Sequence, residues 1–142
     1  MPVFVVHEHH AKRPHFDLRL EMDGVLKSWA VPKGPSMDPA DKRLAIMVDD
    51  HDLGYAGFEG IIPEGMYGAG EVLIWDKGTY ELKAGDIGTG RLEVVFKGNK
   101  LRGIFAIVRM SGKEKEWLLI KKKDEFAGND SGPATGGRRG KG

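Results

Sequence analysis

Four histidines, a carboxylate and an arginine (His7, His9, His10, His15, Asp17 and Arg19) fall within thirteen residues near the start of the chain. Two neutral imidazoles and one carboxylate make a donor set suited to Mn, Fe, Co or Zn. The chain has no cysteine. There is therefore no disulfide frame and no thiolate site, and any metal must be held by His, Asp or Glu. Arg19 stands two positions past Asp17, where a guanidinium could grip an anion held against that metal.

These side chains need an element that points them the same way. From His15 to Met22 the sequence alternates strictly, with His15, Asp17, Arg19 and Glu21 on one side and Phe16, Leu18, Leu20 and Met22 on the other. Period-two alternation predicts a half-buried strand. On such a strand His15 and Asp17 lie ~7 Å apart along one face, close enough to share an ion. Asp23-Gly24 then predicts a tight hairpin. His9 is expected in the preceding turn, folding back across Arg13-Pro14 to the same point.

A second constellation follows in Arg43-Leu44-Ala45-Ile46-Met47-Val48-Asp49-Asp50-His51. In an unbroken strand Arg43, Asp49 and His51 share a face, with Lys33 and Tyr55 nearby in sequence. A histidine beside an anion can donate a proton or a hydrogen bond as a leaving group departs. Two arginines, a lysine, a histidine and a metal suit phosphate, whose transition state needs charge stabilisation. Gly65-Met66-Tyr67-Gly68-Ala69-Gly70 resembles a phosphate loop only in its glycine content and reads as a tight structural loop.

The remaining elements read as mainly β. Strands are expected at Phe4–Val6, Val25–Val31 and Leu44–Val48 (buried), with one helical turn over Asp38–Lys42. Residues 50–70 have little periodicity, yet Phe58, Ile61, Ile62 and Tyr67 predict a packed segment. A hairpin is expected from Glu71–Trp75 to Thr79–Leu82 around Asp76-Lys77-Gly78. Another runs from Arg91–Lys97 through Gly98-Asn99 to Leu101–Met110, and Glu116–Lys122 closes the series. Short strands at near-regular spacing predict a small antiparallel β-barrel or sandwich.

At 142 residues the chain is expected to form one domain over 1–126. The Gly/Arg-rich tail over 127–142 is expected to be disordered. With 22 basic and 21 acidic residues, a polybasic nucleic-acid coat is excluded but a local basic groove is not. No apolar run approaches the ~20 residues of a membrane span, and no secretory leader is read at the start. A monomer in the cytoplasm, associated with the nucleoid, is the expectation.

Taken in order, these motifs resemble the phosphoesterase domain of bacterial and archaeal DNA ligase D, the end-healing module of nonhomologous end joining. The resemblance runs from about Phe4 to Phe126. It is carried by His9, His15-x-Asp17-x-Arg19, Leu26 through Pro35, Asp50-His51 with Tyr55, Phe58-Glu59-Gly60, Ile62 through Gly70, and Trp117 through Lys122. It implies a small β-barrel with Mn²⁺-dependent activity (Co²⁺ or another divalent transition metal being the alternatives) on DNA or DNA–RNA 3′ ends. A 3′-terminal ribonucleotide would be removed first, and the remaining 3′-phosphate then hydrolysed to a 3′-OH. By position, the resemblance implies His9, His15 and Asp17 as metal ligands. It implies Arg19 and His51 as the phosphate and transition-state pair, supported by Tyr55, with Lys33 and Arg43 engaging the terminal phosphate. Asp49 stands where the family commonly has glutamate, on the ribonuclease side of the activity. With eight residues ahead of His9 and no ligase or polymerase signature, an ATP-dependent ligase and a polymerase/primase are expected as separate proteins.

Two other readings fit parts of the pattern. A non-haem Fe(II) oxygenase would use His15, Asp17 and His51 on iron, with Arg43 on a co-substrate carboxylate. A non-catalytic module would bind nucleic-acid ends and recruit a ligase, although near-neutral charge provides few phosphate contacts.

Overall fold

The computed structural model describes residues 1–128. Nine strands form one antiparallel sheet: β1 (Val3–His10), β2 (His15–Met22), β3 (Val25–Val31), β4 (Lys42–His51), β5 (Gly60–Ile62), β6 (Gly70–Asp86), β7 (Arg91–Gly98), β8 (Arg102–Arg109) and β9 (Glu116–Lys121). Their order is β1-β2-β3-β4-β9-β8-β7-β6-β5, and a further β1–β6 pairing closes eight of them into a barrel. β5 hangs on β6 outside the ring. A 3₁₀ turn at Leu53–Gly57 is the one helical element among the described residues, and no helix there is long and apolar enough to cross a membrane.

Alternation along each strand sends one row of side chains into the barrel and the other outward. Phe4, Val6, Leu18, Leu20, Trp29, Phe96, Phe105 and Trp117 fill the interior, with the Trp29 and Trp117 rings meeting edge-on at 5.7 Å. Asp17 and Arg19 therefore point out of the barrel, away from this core. The β2–β3 hairpin forms as expected. Asp23 (φ 54°) and Gly24 (φ 83°) both take the positive φ that a two-residue turn needs to follow strand twist.

Several expectations are corrected. β1 continues to His10, so His9 sits on a strand, paired with His15, and the turn is confined to residues 11–14. Asp38 to Asp41 is a single hydrogen-bonded turn rather than a helical one, with Ala40 N–H donating to the Asp38 carboxylate at 2.9 Å. β4 is only partly buried: Ala45 is inside, but Leu44 is 40% exposed. The β7–β8 loop is Asn99-Lys100, one residue later than expected, with Gly98 N–H bonded to Leu101 O at 2.9 Å.

The largest difference is at Asp76-Lys77-Gly78, which bends one 17-residue strand instead of reversing the chain. The buried Asp76 carboxylate accepts the backbone N–H groups of Lys77, Asn99, Lys100 and Leu101 at 2.7–2.9 Å, tying β6 to the β7–β8 loop. At Gly78 a Cβ would run into Lys97 O, so the glycine permits the close approach of the paired strand β7. The first half of β6 pairs with β1 and the second with β7. The C-terminal tail expected over 127–142 lies, from residue 129 onward, outside the described residues.

Candidate active site

The outward row of β1, β2, β3 and β4 carries the chemistry. Cross-strand register aligns Val5, Arg19, Ser28 and Val48 in one line, His7, Asp17 and Ala30 in the next, and His9 with His15 beyond them. Directly opposed residues share a face of the sheet, so these polar side chains converge. The segment from Asp52 to Ala69 crosses this face and buries it. As a result His7 is 0% and Arg19 3% exposed, although both lie on the barrel's outer side. A cleft of ≈ 360 Å³ remains, lined by His9, His15, Asp17, Arg19, Asp49, His51, Tyr55 and Tyr67, among others.

His9, His15 and Asp17 each offer a ligand atom to this cleft, all within 4.8 Å of one another. Asp17 Oδ2 is 3.6 Å from His9 Nδ1, and Oδ1 is 3.3 Å from His15 Nε2. Backbone carbonyls orient both rings. The far nitrogen of His9, Nε2, bonds to Gly68 O at 2.8 Å, and His15 Nδ1 bonds to Arg13 O at 2.9 Å. Each carbonyl can only accept, so the bonded nitrogen carries a proton. His15 Nε2 can also donate to the Asp17 carboxylate, and that bond raises the His15 pKa; a metal at this point would take the place of that proton. Outer bonds of this kind set up imidazoles for a cation. Burial opposes ionisation of Asp17, but the His15 bond and the Arg19 charge outweigh it and hold the carboxyl below its usual range. Two imidazole nitrogens and one carboxylate fit a divalent transition metal.

Arg19 is the hub of the other half. Its Nε donates to His7 Nδ1 (3.1 Å), Nη1 to Ser28 Oγ (3.0 Å) and Nη2 to Asp17 Oδ2 (3.2 Å). Nη1 also lies 3.1 Å from His51 Nδ1, and the guanidinium carbon sits 4.9 Å from the Tyr55 ring centroid. Arginine can only donate. When it bonds His51, that ring is neutral, with its proton on Nε2. Burial, and then the Arg19 charge, push the His51 pKa down, which favours this form. Tyr55 stacks on Phe58 (4.9 Å, 11° between planes) and touches the rings of His7 and His51.

Six of the sequence-identified residues therefore meet in one cleft: His9, His15, Asp17, Arg19, His51 and Tyr55. Asp49 lines its edge, with its own carbonyl 3.2 Å from His51 Nδ1. Arg43 and Lys33 stand apart from the lining residues. A β-bulge in β4 is the reason for Arg43: Leu26 pairs with His51 and Ser28 with Val48, so β4 spends one extra residue between them. His51 consequently turns to the face of Val48, whereas Arg43 lies opposite Leu119 on the interior side, its Nη2 3.8 Å from Asp41. Lys33 is exposed in the turn closed by Gly34 N–H and Val31 O. The oxygenase arrangement loses its basis, since His51 bonds Arg19 while His9 joins His15 and Asp17.

Sequence reasoning gave no role to His7 or Ser28, which hold Arg19 in place. His7 shares parity with His9, and that signal becomes visible once β1 is extended past Val6. Residues 7–109 match the family model described as the DNA Ligase D 3′-phosphoesterase domain. The chain belongs to this family. It is 50% identical over 127 residues to the multifunctional non-homologous end joining protein LigD of Pseudomonas aeruginosa, covering 85% of this chain and 15% of that protein. It is 48% identical over 124 residues to the multifunctional non-homologous end joining DNA repair protein LigD of Mycobacterium tuberculosis H37Rv (86% and 16% covered). For LigD of Mycolicibacterium smegmatis the identity is 44% over 131 residues (86% and 17%). The chain thus spans about one sixth of the length of these LigD relatives. By its family it is a phosphoesterase domain, a phosphoester hydrolase, built on a β-barrel.

Proposed function

We propose that this chain is a Mn²⁺-dependent 3′-end-healing phosphoesterase. It removes a 3′-terminal ribonucleotide from DNA or DNA–RNA ends and then the 3′-phosphate, leaving a 3′-OH for a separate ligase. A separate polymerase/primase would act in the same pathway. The observation that carries this reading is the position of Asp17. One carboxylate oxygen faces His15, and the other faces both His9 and Arg19. A cation-binding triad and a guanidinium therefore share one wall of one cleft, an arrangement suited to a phosphate group.

His9 Nδ1, His15 Nε2 and an Asp17 oxygen would hold the divalent metal, which supplies Lewis-acid polarisation of a phosphoryl oxygen and a nucleophile at neutral pH. The chain's own groups do the rest. Arg19, locked by His7 and Ser28, presents its charge to the phosphate without reorganising, where preorganised donors are worth most. His51 in its neutral form offers Nε2–H to an oxygen on which charge develops. Tyr55, held over Arg19 by its Phe58 stack, closes the side of the cleft. The ribonuclease step is assigned to Asp49 at the cleft edge, where the short side chain favours the phosphatase step. Lys33 and Arg43 are kept as contributors to phosphate engagement from outside the cleft lining.

Product analysis tests this directly. A 5′-labelled primer ending in one ribonucleotide, annealed to a template, should pass through a 3′-phosphate to a 3′-OH with Mn²⁺ and remain intact with EDTA. Binding to the end with no product under any divalent metal would favour a non-catalytic end-binding module.

A further inference from the structure

Tyr67 is an outlier among the aromatic residues. It is 96% exposed, whereas the next most exposed Phe, Trp or Tyr in the described residues, Phe126, is at 37%. The segment that carries it was expected to be packed, and Phe58 and Ile62 do pack. Tyr67, Ile61 (75%) and Met66 (60%) do not.

The backbone holds this ring in position. Two consecutive turns form, Met66 N–H bonding Pro63 O at 3.2 Å and Ala69 N–H bonding Met66 O at 3.1 Å. Tyr67 takes the first corner of the second turn, ahead of Gly68 at φ 77°. That corner accepts most residue types, so the turn itself does not require an aromatic ring. The next residue is tied to the chemistry, because Gly68 O accepts the His9 Nε2–H at 2.8 Å. Tyr67 thus lines the same cleft as the metal-ligating group while facing solvent. The cleft is graded. Arg19, Asp17 and His9 form a floor no more than 8% exposed, and an aromatic ring stands at the mouth.

Resting on the function proposed above, we propose that Tyr67 stacks on the nucleobase of the 3′-terminal nucleotide whose phosphate lies on that floor. A phosphate held at the floor leaves its nucleoside at the mouth, where the ring is. Every base has a π-face, so a stacking contact accepts any terminal base without reading sequence. Such a contact also selects a nucleotide end over a phosphomonoester with no base.

The test uses wild type, Tyr67→Ala and Tyr67→Phe with two 3′-phosphate primers. One ends in a normal nucleotide and the other in a tetrahydrofuran abasic analogue. KM and kcat are measured with Mn²⁺, binding by fluorescence anisotropy, and Mn²⁺ affinity by titration. Stacking predicts that Tyr67→Ala weakens the normal end by ~10- to 100-fold in KM and in anisotropy, the scale of one base–aromatic contact. It should leave kcat and Mn²⁺ affinity unchanged, cost nothing further on the abasic end, and be reversed by Tyr67→Phe. Equal losses on both ends, no loss on either, or weakened Mn²⁺ binding would overturn the proposal. If no protein releases phosphate, the function proposed above fails, and the anisotropy series alone still decides for or against stacking.

Discussion

Arg19 donates its Nε–H to His7 Nδ1 at 3.1 Å, and His7 in turn bonds Phe58 O through Nε2 at 3.0 Å. With Nδ1 accepting from a guanidinium, the His7 proton is on Nε2, directed at the Phe58 carbonyl. Burial, reinforced by the Arg19 charge, lowers the His7 pKa to about 4, so the ring stays neutral at physiological pH. A neutral histidine is therefore the brace between the buried Arg19 guanidinium and the segment roofing the cleft.

Replacing that brace should be costly. His7→Ala leaves a buried Arg19 donor without its partner, a loss of about 1–3 kcal/mol in stability. It also frees the guanidinium to move, and kcat/KM on a 3′-phosphate should drop by ~10-fold or more. His7→Gln keeps one acceptor and one donor and should recover much of both. Urea unfolding and steady-state kinetics on the two variants check this, and His7→Ala with wild-type values in both would refute the brace.

In the function proposed above, Arg19 and His51 have different parts on phosphate. Arg19→Lys keeps the charge but loses the planar fork that reaches His7, Ser28 and Asp17 at once, so it should rescue Arg19→Ala poorly. His51→Ala should lower kcat by ~10²-fold or more while leaving Mn²⁺ affinity near wild type, since His51 is outside the ligand group. Metal titration and single-turnover kinetics on the same His51→Ala preparation decide it. Joint loss of metal and activity would make His51 a ligand.

Far from the cleft, Tyr80 gives the barrel an alkaline limit. Its hydroxyl donates to Glu21 O at 2.6 Å, and burial, with the Glu21 charge second, raises its pKa to about 12. In the unfolded chain the phenol ionises near 10. Between pH 10 and 12 the folded state keeps a proton that the unfolded state has lost, so stability falls as pH rises. This contribution, on the order of 2 kcal/mol, is fully present below pH 10. Denaturant melts of wild type and Tyr80→Phe across this range should show the steeper decline in wild type alone.

The parts of this architecture that could be read from the sequence are those where alternation and turn chemistry agree. β2 carries an apolar residue at every second position and is joined by Asp-Gly to the largely apolar β3, so their limits and the grouping of His15, Asp17 and Arg19 were legible. β1 was harder. Past Val6 both faces are polar, with Glu8 and His10 on one and His7 and His9 on the other, because the covering segment rather than the barrel core buries the histidines. Asp76-Lys77-Gly78 has turn composition, but its carboxylate is used by the β7–β8 loop and its glycine by the close approach of β7, neither of which a local window contains. The β4 bulge that turns His51 toward Arg19 and leaves Arg43 inside has no sequence signal, since it is fixed by register with β3.

In the function proposed above, His9, His15 and Asp17 hold a divalent metal against a phosphate gripped by Arg19. Asp17→Asn tests it with least disturbance, keeping shape and one carbonyl oxygen while removing the charge. Mn²⁺ binding by calorimetry and release of inorganic phosphate from a 3′-phosphate primer should be measured on the same wild-type and Asp17→Asn samples. In wild type, phosphate release should rise along the Mn²⁺ binding curve. Asp17→Asn should lose both by ~10²-fold or more while its melting curve stays cooperative. Phosphate release that persists in EDTA, or in Asp17→Asn without Mn²⁺ binding, would contradict a metal held by these three residues.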